Sequence, residues 1–239
     1  MEKENKKEKL NKSVLVISAH ADDHIASAGT LFKLRDKGYD LYEIVLTNSG
    51  EGGDYRKSKK KEHNIASMRD RELSDASKFL GIKETYKLNQ EDLGLTYSKN
   101  LVFKIVPIIR KLKPAVGIIM NSFDWHIDHR IAFEIGSEAF KWAATGVKAN
   151  LGGQWRTPIV LCTEGMLPVQ PSVLVDVTDY VKQKADLWKI YESQAKPKAI
   201  NFEESLMSVR GYHLRRPGSL LAEAFTTDST SPIILFDEL

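Results

Sequence analysis

The chain has one cysteine, Cys162, among 239 residues. That scarcity excludes an internal disulfide framework, a multi-cysteine zinc ribbon and an iron–sulfur site. Any bound metal must then be held by histidines and carboxylates. No run approaches the roughly 18 apolar residues of a membrane span, which predicts no integral membrane segment. The opening residues MEKENKKEKLNK hold no apolar stretch of the kind a secretory signal requires, so a cytoplasmic location is the expectation. Gly50, Gly52 and Gly53 form neither a GxGxxG fingerprint nor a Walker loop after a strand, and no phosphate loop is read there.

A strong charge of one sign is also missing. Lys and Arg number 35 against 32 Asp and Glu, a formal net charge of +3. The excess is local. Met1 to Lys12 holds five lysines and three glutamates, and Glu51 to His63 holds five basic and three acidic residues. The remainder is slightly acidic. A nucleic-acid-binding surface spreads basic residues over a folded face and interleaves aromatics. Here the excess reads as a charged tail and a solvated loop, and no nucleic-acid partner is expected.

What is present is an alternation of strand and helix patterns. Ser13–Ser18 (SVLVIS) and Ala115–Met120 (AVGIIM) are short apolar runs, as in strands buried on both faces. Leu41–Thr47, Ile159–Thr163, Val173–Val175 and Ala222–Phe225 read as further strands. Helical spacing marks Asp22–Lys37, ending at Gly38, and Asn64–Leu80, ending at Gly81. It also marks Leu101–Leu112, where Pro107 is a kink or a late start, as well as Asp128–Ala144, Asp179–Gln194 and Asn201–Tyr212. The alternation predicts an α/β, Rossmann-like three-layer fold, with a mostly parallel sheet and helices on both faces. With no internal repeat or linker beyond the tail, residues 1–12 are expected to be disordered and 13–239 to form one domain.

In such sheets ligands collect at the carboxyl ends of strands. Two histidine–carboxylate clusters stand there: Ser18-Ala19-His20-Ala21-Asp22-Asp23-His24 after the first strand, and Asn121-Ser122-Phe123-Asp124-Trp125-His126-Ile127-Asp128-His129 after AVGIIM. They contain four of the six histidines. A hydrolytic zinc site needs about three His or carboxylate ligands, an open position for water and a base. A His-x-Asp-Asp turn can supply an imidazole, a ligating carboxylate and a free carboxylate. A His-x-x-His segment can add a third ligand and an imidazole to polarise a carbonyl or protonate a leaving group. Asp128 stands between these two histidines, placed to orient one of them. The plainer alternative is that Asp22, Asp23 and Asp128 only cap helix N-termini.

Ala19-His20-Ala21-Asp22-Asp23, with Ala28-Gly29-Thr30 after it, resembles the AHPDD…GGT signature of the PIG-L/LmbE-like zinc-dependent N-acetylglucosaminyl deacetylases. His126-Ile127-Asp128-His129 is similar to that family's HPDH motif. The likeness runs on through Thr47–Glu51, Arg69–Glu72, Leu80-Gly81, Asp176–Thr178, Lys184, Ser193-Gln194 and Ala222–Phe225, covering nearly everything after residue 12 in the family's order.

The resemblance implies His20, Asp23 and His129 as zinc ligands, with iron(II) an acceptable substitute at such a site. It implies Asp22 as the general base, His126 as the oxyanion or leaving-group partner with Asp128 behind it, and Arg69 as a substrate contact. The implied reaction is removal of an N-acetyl or other N-acyl group from a glucosamine-containing small molecule by metal-activated water. A homo-oligomer is compatible with the sequence. The competing readings are a zinc phosphoesterase, with Arg69 and Lys57–Lys61 holding a phosphate, and a non-catalytic Rossmann-like metabolite-binding module.

The chain departs from the family pattern in four places. Ala21 and Ile127 stand where the motifs have proline, His24 stands where a glutamate is common, and Asp124 stands where some relatives place a tyrosine. His24 is expected to fill a helix position, and Asp124 leaves the tyrosine's role without a carrier. His63 and His213 are expected on the surface and Cys162 as a buried inert thiol. Trp125, Trp142 and Trp188 are expected to pack, with Trp125 able to line a sugar pocket.

Overall fold

β-branched runs buried on both faces make the centre of the sheet. The computed structural model describes residues 11–56 and 64–233. Lys57–Lys61, His63 and most of the charged tail therefore lie outside the described residues. The strands β1 (Ser13–Ser18), β2 (Asp40–Thr47), β3 (Ile82–Gln90), β4 (Val116–Ile119), β5 (Ile159–Thr163), β6 (Val173–Asp176) and β7 (Ala222–Thr227) form one seven-stranded sheet. Their order is β3-β2-β1-β4-β5-β7-β6. The first five run parallel, and β7 pairs antiparallel with both β5 and β6. The expected mostly parallel sheet is present.

Helices cover both faces: α1 (Ala28–Asp36), α2 (Ile65–Leu80), α3 (Lys99–Leu112), α4 (Ile127–Ala143), α5 (Val181–Ile190) and α6 (Pro197–Leu214). One apolar layer packs Leu15, Ile17, Ile44 and Ile119 against α3 and α4. The other packs Val14, Val16, Val45 and Ile118 against α1, α2 and α5. Alternate residues of β1 thus face opposite layers, as strand pleat requires.

The structure adds β3, which no apolar run announces. Its sequence IKETYKLNQ is half-buried because it lies at the sheet edge. The helix expected over Asp22–Lys37 is divided into a 3₁₀ turn at Asp23–Ser27 and then α1. The helix expected over Asp179–Gln194 is likewise a 3₁₀ turn at Thr178–Tyr180 followed by α5, which stops at Ile190. Helix α3 runs unbroken through Pro107, starting at a Ser98 cap that accepts from Leu101 N–H. Gly81 ends α2 at φ 81°, a left-handed C-terminal cap.

One long-range bond set positions the site. Both carboxylate oxygens of Glu223, on β7, accept from the N–H groups of Gly29 and Thr30 at the start of α1, each at 2.8 Å. Lys184, buried on α5, donates to Glu223 at 2.6 Å and pairs with Glu203 on α6 at 2.9 Å. A Cβ on Gly29 would come within 2.7 Å of Val177, so only glycine lets this helix start approach so closely.

Candidate metal centre and active site

Strands β1 and β4 are neighbours, and their carboxyl ends bring the two clusters together. His20 Nδ1 faces His129 Nε2 at 3.3 Å. Asp23 reaches both, with Oδ1 at 3.2 Å from His129 Nε2 and Oδ2 at 3.6 Å from His20 Nδ1. Four ligands at about 2.0–2.1 Å in a tetrahedron stand about 3.3 Å apart. The three groups therefore present their donor atoms at the spacing of a zinc-sized cation.

The far nitrogens strengthen the fit. His20 Nε2 lies 3.0 Å from Asp92 Oδ1 and 3.2 Å from Asp128 Oδ2. His129 Nδ1 lies 3.1 Å from Asp124 Oδ2. Each imidazole can thus give its outward N–H to a carboxylate, which leaves the inward nitrogen to a metal once its proton is lost, the usual orientation of metal-bound histidines. Buried Asp128 Oδ1 has no hydrogen-bond partner among the described residues.

The electrostatics agree. Burial lowers the His129 pKa, but Asp23 and Asp124 outweigh it and hold the group at about 9. His20 is also held well above its ordinary value, as Asp23, Asp128 and Asp92 overcome desolvation. Burial would raise the Asp92 carboxyl, yet the His20 hydrogen bond leads a set of contacts that hold it at about 2. Surplus negative potential of this kind favours a positive charge between the imidazoles.

Asp22 is half-buried beside the centre, with Oδ1 accepting from Arg69 Nη2. Its side chain makes no capping hydrogen bond to the 3₁₀ turn that follows, so the plain capping reading fails for it. Arg69 is buried on the inner face of α2 instead of lying exposed. His126 caps α4, its Nδ1 accepting from Asp128 N–H at 3.2 Å. Its ring centroid lies 4.7 Å from those of both His20 and His129. Burial lowers the His126 pKa, and the charges of His20 and His129 lower it further.

Asp128 differs from the expectation. It stands behind His20, not behind His126, because the first turn of α4 points its carboxylate at the β1 end, where Leu93 N–H also holds it at 2.8 Å. Two contributors were missed. Asp92 follows β3, and overlooking that strand hid the acidic residue at its carboxyl end. Asp124 secures His129 and accepts from His126 N–H at 2.9 Å. His24 is also more than a helix filler, being buried between Glu43 Oε1 at 2.8 Å and the Tyr191 hydroxyl at 3.0 Å.

A cavity of about 730 Å³ opens over the cluster. One end holds His20, Asp22, Asp23, His126 and His129, and its walls include Trp125, Trp188 and Phe202. The volume suits a small molecule. Trp125 is 59% exposed at the mouth, and Arg130 holds its carbonyl at 2.8 Å. His213 is exposed on α6, and burial pushes the Cys162 thiol up to about 12, consistent with inertness. Among the described residues no helix is long and apolar enough to cross a membrane.

Known proteins resemble the chain both in sequence and in fold. It is 29% identical over 191 residues to the diacetylchitobiose deacetylase of Thermococcus kodakarensis, covering 77% of this chain and 70% of that protein. A 27% identity over 134 residues links it to the 4-oxalmesaconate hydratase of Pseudomonas putida, over 54% of this chain and 51% of the hydratase. The structure of N,N'-diacetylchitobiose deacetylase from Pyrococcus horikoshii, 22% identical, shares the fold with a TM-score of 0.80 over 95% of this chain and 89% of that one. The family model for GlcNAc-PI de-N-acetylase (PIG-L) matches residues 15–140, more than half of the sequence, and the chain belongs to that family of deacetylases.

Proposed function

We propose that this chain is a metal-dependent amidohydrolase that removes the N-acetyl group of a glucosamine-containing small molecule. The observation that carries the reading is the set of His20, Asp23 and His129 donor atoms 3.2–3.6 Å apart, with Asp22 beside them in a cavity. A zinc or iron(II) ion held by those three residues would polarise the amide carbonyl and acidify a water.

The chain's own groups supply the proton transfers. Arg69 holds Asp22 Oδ1, which leaves Oδ2 to take the proton of the attacking water. His126 Nδ1 is occupied by Asp128 N–H, which puts the ring proton on Nε2. A neutral imidazole of lowered pKa then presents that N–H to the developing oxyanion. Asp22 returns its proton to the departing amine, giving acetate and a free amino sugar. Arg69 enters through Asp22 and borders the cavity, which supports a substrate contact as well.

Metal analysis followed by assay of acetate and amine release from N-acetylglucosamine and N,N'-diacetylchitobiose tests the reading. About one divalent ion per chain with acetate release is expected. No stoichiometric metal and no release would overturn it. The Pseudomonas putida relative supplies a second reading, hydration of a carbon–carbon double bond by the same water-activating set. Turnover of an unsaturated dicarboxylate without acetate release would favour it. Phosphate release from sugar phosphates would favour the phosphoesterase.

A further inference from the structure

We infer that the turn carrying His20, Asp22 and Asp23 is held by a hydrogen-bond clamp on the Ala21 backbone, one bond to each of its flanking peptides, with Ser49 and Tyr191 as its positioning residues. The inference rests on the proposed roles of those three turn residues. Asp23 N–H bonds to His20 C=O at 3.4 Å, closing a four-residue turn. Asp22 has φ −102° and ψ −2°, the third position of a type I turn. Ala21 is therefore the second position, where a proline would fix φ and supply no N–H.

Alanine leaves both a freer φ and a buried donor. Ser49 Oγ accepts that donor at 3.0 Å. Ser49 adopts a left-handed φ of 52°, and its own N–H bonds to Thr47 Oγ1 at 3.2 Å, while Thr47 Oγ1 donates to Ala19 C=O at 2.8 Å. The β2 end thus grips Ala21 on its N–H side. On the carbonyl side the buried Tyr191 hydroxyl donates to Ala21 C=O. The Tyr191 hydroxyl also lies 3.0 Å from His24 Nε2. His24 Nδ1 is anchored in turn on Glu43 in the middle of β2. The Arg69 guanidinium that holds Asp22 lies 5.8 Å from the Tyr191 ring centroid. Tyr191 therefore touches both supports of the proposed base.

The clamp makes a prediction that generic stability does not. Ser49→Ala strands a buried N–H and frees the turn, whereas Ser49→Ala combined with Ala21→Pro has no donor to strand and a φ fixed by the ring. For Ser49→Ala, about tenfold weaker zinc binding and about tenfold lower kcat are expected, with KM within about twofold. The double variant should return both to within about twofold of the parent. Tyr191→Phe should show a similar loss that Ala21→Pro does not rescue, because the lost bond is to the carbonyl.

A Ser49→Ala protein equal to the parent, or one that Ala21→Pro fails to rescue, would overturn the clamp; an Ala21→Pro chain that does not fold overturns the turn assignment itself. Zinc affinity by calorimetry and the urea unfolding midpoint need no turnover. If the parent binds zinc but releases no acetate, the proposed reaction is lost while the clamp is still decided by zinc affinity. If the parent binds no zinc, the midpoint of Ser49→Ala against the double variant decides it.

Discussion

After β1 the chain closes within four residues, 19–22, before its 3₁₀ turn, whereas after β4 it runs through seven, 120–126, before α4. The first end is a tight turn gripped from the end of β2 and the end of α5. The second is looser and shows apolar surface, with Phe123, Trp125 and Ile127 each more than half exposed. Ile127 occupies the first helical position, where a backbone N–H has no intrahelical partner anyway, so losing a proline there is less costly than at the β1 turn. One end holds the proposed base and two of the proposed ligands; the other holds the third proposed ligand, the proposed oxyanion partner and the exposed rim.

The comparison breaks most completely if the shared ligand set is opened. His129→Ala should abolish stoichiometric zinc and lower acetate release by about 10³-fold or more, measured by elemental analysis and assay. Asp22→Asn comes next and separates the functions within the β1 end. It should keep the metal and lose about 10²–10⁴-fold in kcat, and a fully active variant would remove Asp22 from the base role.

Asp124→Asn probes the β4 end, where about 10–100-fold weaker zinc binding is expected by titration, with the base untouched. Protons compete at the same place. Zinc requires the His129 Nε2 lone pair, and against desolvation Asp23 and Asp124 hold the metal-free group up at about 9. Apparent affinity should therefore rise at least about tenfold per pH unit up to about 9, more steeply where His20 is also protonated, and the His129 contribution levels above it. Flat affinity across that range would contradict the ligand assignment. The smallest effect belongs to the rim. Trp125→Ala should raise KM a few-fold while zinc content and the unfolding midpoint stay level, since the ring is largely exposed.

Much of this was readable from the residues. SVLVIS and AVGIIM announce doubly buried strands because nothing polar interrupts them, and the clusters after them are conspicuous in type and place. β3 was not legible, since an edge strand with one solvated side carries polar residues such as Glu84, Lys87 and Asn89. Asp92 went unseen with it. The partner of Asp128 was hidden for a different reason: sequence adjacency pointed to His126, while the first turn of α4 aims the carboxylate across to His20. Ser49 lies within the likeness at Thr47–Glu51, but neither it nor Tyr191 signalled a link to Ala21, because that meeting depends on packing between β2, the end of α5 and the turn.

The Glu223 cap on α1 carries a consequence for the order of assembly during synthesis. Residues 29 and 223 are joined across 194 positions, so a nascent chain that has already made His20, Asp23 and His129 still lacks the carboxylate that seals the helix start behind them. Contacts of such separation form late. A ribosome must release residue 223 before the turn with the proposed base acquires its final backing, and a chain interrupted earlier would carry every proposed ligand without the frame behind them.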